Sequence, residues 1–242
     1  MSHNPMRGSQ HDGVPPGGSI ERTLAGEAEL GIAAAVKEAW HASAGLRGTV
    51  APGMLLVAGA LVLVLLVLGN LFDLTEPTPL GETVTQLTTM MIVYPYMAGA
   101  FLVSLRHLGG QRVAFGDQFA CYASMLPIVA VGLLQSLVTS LGLMLLIVPG
   151  IYLSFALYLA VPLKAERDLP MTECLLTSIK LVNRKLFEVS VLSLLSGVLV
   201  VAGVFSIVGW IWTWPWALMI LAVVYRQLAG FGATQRSVEM EF

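Results

Sequence analysis

Charge is what this sequence has least of. Of its 242 residues 12% are charged, against roughly 25% in an ordinary soluble domain. Asp, Glu, Lys and Arg are missing altogether from residues 48–72, 83–105, 118–163 and 189–225. About 20 apolar residues carry a helix across a bilayer, so these runs have room for one, one, two and two spans. Such a deficit excludes a soluble globular enzyme. The length of the runs also excludes an outer-membrane barrel, whose strands are roughly 10 residues long and alternate polar with apolar.

Other scarcities narrow the chemistry. Cysteine occurs only as Cys121 and Cys174. They lack the spacing of a disulfide framework or a CxxC metal site, and are read as free thiols at or near the cytoplasmic face. None of His3, His11, His41 and His107 has a metal-ligand partner at helical spacing. A net charge of −2, from 13 basic and 15 acidic residues, provides no basic surface for nucleic acid. No Gly-rich phosphate loop, GxSxG, HExxH or Walker motif is present. No cofactor and no enzymatic activity are expected.

What is present is a helical membrane pattern. The expected spans are 52–72, 85–105, 118–139, 143–163, 187–207 and 212–228. The 46-residue run is too long for one span, because a single helix of that length would reach about 69 Å. Its bend is expected near Ser140–Gly142, and that of the 37-residue run near Gly209. In this layout residues 73–84 and the two bends contain no Lys or Arg. All 13 basic residues lie on the other side, in the N-terminal segment, 106–117, 164–186 and the tail from Arg226. The positive-inside rule then places both termini in the cytoplasm. Residues 1–19 are rich in Gly, Pro, Ser and His and are expected to be a disordered tail without a signal-peptide core. Residues 20–230 form the membrane domain and 231–242 a cytoplasmic tail.

Two segments outside the spans have amphipathic helical spacing. In Asp168–Leu186, Asp168 is a suitable cap and Pro170 suits the first turn. Met171, Leu175, Ile179, Val182 and Leu186 make one apolar stripe, a candidate partner-docking face or membrane-surface anchor. A weaker, Ala-rich stripe runs through Ile20–Ala44. Asp117 is a further candidate cap, before the third span. Trp210, Trp212, Trp214 and Trp216 cluster beside the last bend, as an interfacial aromatic belt would.

The six span interiors hold no ionisable residue, which weighs against an ion-coupled carrier. Polar uncharged residues do occur, among them Gln135, Ser136, Thr139 and Ser140. Pro95, Pro127, Pro149 and Pro162 lie in or near the ends of spans, where each removes a backbone hydrogen bond. Tyr94 and Tyr96 flank Pro95. With Gln135 they are the candidate contacts for a substrate or lipid. The cytoplasmic cluster Glu166, Asp168, Glu173 and His107 is the only group available to an enzyme, and such charges are usually a solvated surface.

Three stretches resemble a known family. They are Leu146-Ile147-Val148-Pro149-Gly150-Ile151-Tyr152, Val161-Pro162-Leu163 with Asp168-Leu169-Pro170, and Tyr225-Arg226-Gln227-Leu228-Ala229-Gly230. Together they resemble the YciC-type family of six-span bacterial inner-membrane proteins. They are also similar to the membrane domain that accompanies some glycerophosphoryl diester phosphodiesterases. The resemblance implies a six-helix inner-membrane protein and supplies no catalytic residues. The expectation is an all-α integral membrane protein, a six-span bundle with cytoplasmic amphipathic helices. Its expected role is a non-enzymatic accessory or scaffold of the envelope. The alternative is a permease or lipid-handling protein for a neutral or amphiphilic molecule. Membrane lipids, and a membrane-protein partner or a second copy of the chain, are the expected partners.

Overall fold

The computed structural model describes residues 18–72, 78–205 and 207–231. Regular structure among them is helical throughout, with no strand. Five stretches are long and apolar enough to cross a membrane: Ile32–Leu71, Pro79–Leu108, Phe115–Leu145, Ile147–Arg167 and Leu186–Gly203. The expected sixth span, 212–228, is not among them. It lies in α9 (Ile207–Ala229), a 23-residue helix that carries Pro215 inside it and Arg226 in its last turn. Of the expected tails, residues 1–17 and 232–242 lie outside the described residues. Gly18 and Ser19 do not behave as a tail. The Gly18 N–H donates to the Arg226 carbonyl, and Ser19 caps α1 (Ile20–Ala25).

The boundaries differ from expectation in instructive ways. The end of the Ala-rich segment, which leads in to the first span, and that span are not separate. Residues from Ile32 onward form one 41-residue helix, α2 (Ile32–Phe72). Ala33, Ala34 and Ala35 start it with strong helix formers, and it continues through Pro52. α3 (Pro79–Leu108) opens on a Thr78 cap with Pro79 in the first turn, and ends at Gly109, followed by Gly110 at φ 75°. The third of the five apolar stretches begins as a 3-10 segment, Phe115–Ser124, and becomes α-helical in α4 (Met125–Leu145). Asp117 reaches back to the Ala114 N–H at 2.8 Å, the acidic half of a capping box. Gln118 is buried and clamps this segment to α2, donating to the Thr49 and Phe115 carbonyls.

The bend after α4 falls at Leu146, not at Ser140–Gly142. Leu146 is extended (φ −158°, ψ 138°), and α5 (Ile147–Ala156) follows at once. Gly142 has a different task. A side chain there would press on Gly150 and Leu153, and one on Gly150 would strike Leu143. The two glycines let α4 and α5 pass at close range, as small residues do in membrane helix pairs. The fourth of the five apolar stretches is broken at 157–159, between α5 and α6 (Ala160–Arg167). Pro162 cannot donate to the Tyr158 carbonyl, which accounts for the break. Asp168 closes α6 in the left-handed region (φ 49°) and pairs with Lys164 at 2.7 Å, so it ends one helix and does not start the next. Pro170 precedes α7 (Met171–Arg184). α8 (Leu186–Phe205) and α9 close the bundle, and Gly209, expected at their bend, lies inside α9.

α9 is the centre of the molecule. Met219, Ile220, Tyr225 and Leu228 are fully buried, and α8, α2 and α3 pack around the helix. Its partner α2 is antiparallel, with Glu38 beside Arg226 and Arg47 over the Trp212 ring. About 37 Å of α2 follows Arg47, at 1.5 Å per residue, whereas only about 7 Å of α9 precedes Trp212. The two helices are staggered. Along the far part of α2, Leu55, Leu56, Val62, Leu63, Leu66, Val67 and Leu71 are exposed apolar side chains, as a lipid-facing helix requires.

Candidate functional site: a cavity between α3, α4 and α6

The break at 157–159 has a structural consequence. Two of its backbone groups are taken up by one side chain, Ser178 of α7. The Ser178 hydroxyl donates to the Ala156 carbonyl at 2.8 Å and accepts from the Leu159 N–H at 3.2 Å. Ser178 is fully buried, so the repair takes place away from water. It holds Tyr158 between α5 and α6 at the wall of a cavity of about 170 Å³.

α3 supplies one wall with Val93, Tyr94, Met97, Ala98 and Phe101. α4 supplies Gln135, α6 Val161 and Pro162, and α9 Leu221. The lining is mainly apolar, with three polar tips. Tyr94 shares a hydrogen bond with Ser136 at 3.1 Å and reaches the Gly132 carbonyl at 3.4 Å. Gly132 has to be glycine, because a side chain there would enter the Tyr94 ring. The Tyr158 phenol lies near Ser196, whose hydroxyl donates to the Leu192 carbonyl. Gln135 is different: its Oε1 is buried and has no hydrogen-bond partner among the described residues. An orphaned buried carbonyl costs roughly 1–3 kcal/mol, so it marks a place where a donor is wanted.

Two of the three candidate contacts, Tyr94 and Gln135, meet at this cavity. Tyr96 does not. Two helical steps rotate a side chain by about 200°, so Tyr96 leaves α3 on the other side. There its hydroxyl donates to the Val50 carbonyl at 3.3 Å and its ring packs against Phe119. Tyr158 and Ser178 were missed. Pro162 was the signal that the helix would break near Tyr158, but no periodicity points to the serine that bonds the Ala156 carbonyl and the Leu159 N–H beside it.

α7, the candidate docking helix, is divided. Leu175 and Val182 are buried with Cys174 and Leu181, Ile179 is half-buried, and Met171 is exposed. The four-residue acidic cluster does not assemble as one. Asp168 turns to Lys164, while Glu166 turns inward and accepts from the Tyr225 hydroxyl at 2.7 Å and from Arg167 at 3.2 Å. Cys121 and Cys174 are both free and buried. Burial pushes the Cys174 thiol above the ordinary range, nearby Lys164 opposes this, and Asp168 and Glu173 reinforce it. Among the described residues no group of three or more His, Cys, Asp or Glu side chains gathers as a metal site would.

The helices thus form an apolar chamber with an unsatisfied acceptor and two phenols at its walls, inside a chain with several bilayer-length helices. Comparison with protein-family models, with curated proteins and with solved structures finds no match to this chain.

Proposed function

We propose that this is a multi-pass inner-membrane protein that binds a small neutral or amphiphilic molecule in the α3–α4–α6 cavity without converting it. The observation that carries the proposal is Gln135: its buried Oε1 lacks a partner at the wall of an otherwise apolar cavity. A ligand hydroxyl or amide would satisfy it, and the apolar wall would take the rest of the molecule.

In this proposal both ends of the chain are in the cytoplasm, the four apolar stretches from Ile32 to Arg167 cross the bilayer, and α8 and α9, packed on each other, enter it as a hairpin from the cytoplasmic side. The α8–α9 hairpin sits nearer the cytoplasmic side than the α2–α3 hairpin, because Arg47 meets Trp212 while α2 continues far beyond. Kinship with the YciC-type family is part of the same proposal, and the Ile147–Ile151 element behind it forms the first turn of α5.

The test is purification in native lipid discs with mass spectrometry of retained small molecules. The wild type is expected to hold a compound that Gln135→Leu and Val161→Trp lose. Gln135→Leu should also raise stability by about 1 kcal/mol, since it removes an unsatisfied buried acceptor. A wild type that retains nothing beyond bulk lipid would overturn the proposal.

An accessory role is the second reading, favoured by Met171 and Leu176, which stay exposed on α7. It calls for a stoichiometric protein partner that Met171→Asp with Leu176→Asp releases. Leu175→Asp would not serve, because Leu175 is part of the core.

A further inference from the structure

The four tryptophans of α9 were expected at an outer bend. The structure instead gathers two of them against the part of α2 that precedes its charge-free run. The Trp216 ring meets Trp40 edge-on at 4.7 Å, and the Arg47 guanidinium lies 4.0 Å from the Trp212 ring and 5.6 Å from Trp40. Trp40 is 44% and Trp212 49% exposed, so the cluster is at the surface. Beside it a groove of about 580 Å³ runs along α2, lined by Ala33, Val36, Lys37, Trp40 and Trp216. Lys37 is the only charged side chain in the lining. It is exposed and forms no ion pair among the described residues.

We infer that this groove binds the headgroup of an anionic phospholipid. The inference rests on the membrane-embedded reading given above. Trp40 lies eight residues, about 12 Å along the helix, before the charge-free run of α2 begins at Gly48, which puts the groove in the headgroup layer beside the hydrocarbon. Tryptophan prefers that layer, and Trp40 and Trp212 are exposed enough to meet it. Lys37 faces the lipid phosphate. The Trp40 and Trp216 rings wall the glycerol and the first acyl carbons. Arg47 sits at the aromatic end, so positive charge stands at both ends of the aromatic wall. A zwitterionic lipid would bring its own cation against Lys37 and Arg47, whereas an anionic one brings none. Each basic residue near such a surface favours an anionic lipid by roughly five-fold.

The full-length protein is reconstituted into vesicles of equal parts phosphatidylglycerol and phosphatidylcholine, and lipids retained after release are counted by native mass spectrometry. We expect phosphatidylglycerol to be enriched about five-fold. Lys37→Glu and Trp40→Ala should each abolish the enrichment. Lys180→Glu, which alters an exposed cation on α7, should leave it intact. Lys37→Gln, which leaves the helix unstrained, should weaken the enrichment with an unchanged melting curve. Equal retention of the two lipids, or enrichment that survives Lys37→Glu, would overturn the site while leaving the membrane reading in place. Failure of the protein to enter vesicles at all would overturn both.

Discussion

Arg226 and Glu38 are 188 positions apart and form a two-pronged ion pair, with Arg226 Nη2 2.7 Å from Oε1 and 2.8 Å from Oε2. Arg226 is only 3% exposed. The pair joins the end of α9 to the start of α2, and Gly18 adds a backbone bond to the same turn of α9. Breaking a buried pair from one side leaves the other charge uncompensated, at a cost of about 3–5 kcal/mol. Glu38 is half-buried, which moves the expectation toward the low end of that range. Glu38→Ala should lower the melting temperature clearly in detergent. Glu38→Ala combined with Arg226→Met should recover part of the loss, because the orphaned charge is removed as well. If the single variant melts like wild type, the pair contributes nothing.

Ser178 invites a sharper test. Its hydroxyl serves the Ala156 carbonyl and the Leu159 N–H at the break between α5 and α6. Ser178→Ala leaves both groups buried and unpaired, with an expected loss of about 1–3 kcal/mol. The break also carries Tyr158, so retention of the cavity ligand should fall together with stability. Ser178→Thr keeps the hydroxyl and should restore most of both. A Ser178→Ala protein that is less stable yet retains the ligand fully would separate the break from the site.

How far the sequence reveals all this depends on whether a residue type has one use or several. Missing charge has one use at this scale, so helices of bilayer length were legible from the four runs. Tyr94 and Gln135 were legible as polar groups in apolar surroundings. Glycine has two uses, in a bend or at a close approach, and Gly142 was taken for the first when it serves the second. Tryptophan at an apolar boundary fits either membrane face. Only the contact of Arg47 with Trp212 shows which neighbours it has. Lead-in and first span could not be told from one 41-residue helix, because neither Gly45, Gly48 nor Pro52 is enough to stop it. Burial of Arg226 was illegible for a plainer reason. Its partner is Glu38, at the other end of the chain, and nothing local signals the pairing.

Cys174 links stability to pH. Burial raises its folded pKa, so the protonated thiol is favoured in the folded state. The associated stability is fully present below the unfolded thiol value, about 8.5, and is lost as pH rises from there through the folded value. Wild type should therefore lose more stability between pH 8 and 10 than Cys174→Ala, with the difference confined to that window. Alkylation of Cys174 at pH 8, followed by mass spectrometry of its peptide, should be slow in the folded protein and fast in denaturant. Rapid labelling of the folded protein at pH 8 would contradict its burial.

The stagger of α2 against α9 makes a topological prediction that six spans of equal depth do not share. If the α8–α9 hairpin sits toward the cytoplasmic side, its tip stays within the hydrocarbon while the start of α3 emerges on the outer face. In a background with Cys121→Ala and Cys174→Ala, Glu82→Cys should react with a membrane-impermeant maleimide in intact cells. Phe205→Cys should react at least ten-fold more slowly, because a thiol in hydrocarbon meets neither the reagent nor the water needed to form thiolate. Both should react after solubilisation in denaturant, which confirms that each cysteine is present. Equal labelling in intact cells would mean that the tip of α8 reaches the outer surface. The Arg47–Trp212 contact would then place an arginine deep in the bilayer, where a charge costs about 2.5–3.5 kcal/mol even on the most lenient scale. The absence of such a cost in the staggered arrangement is the reason to expect the slower label.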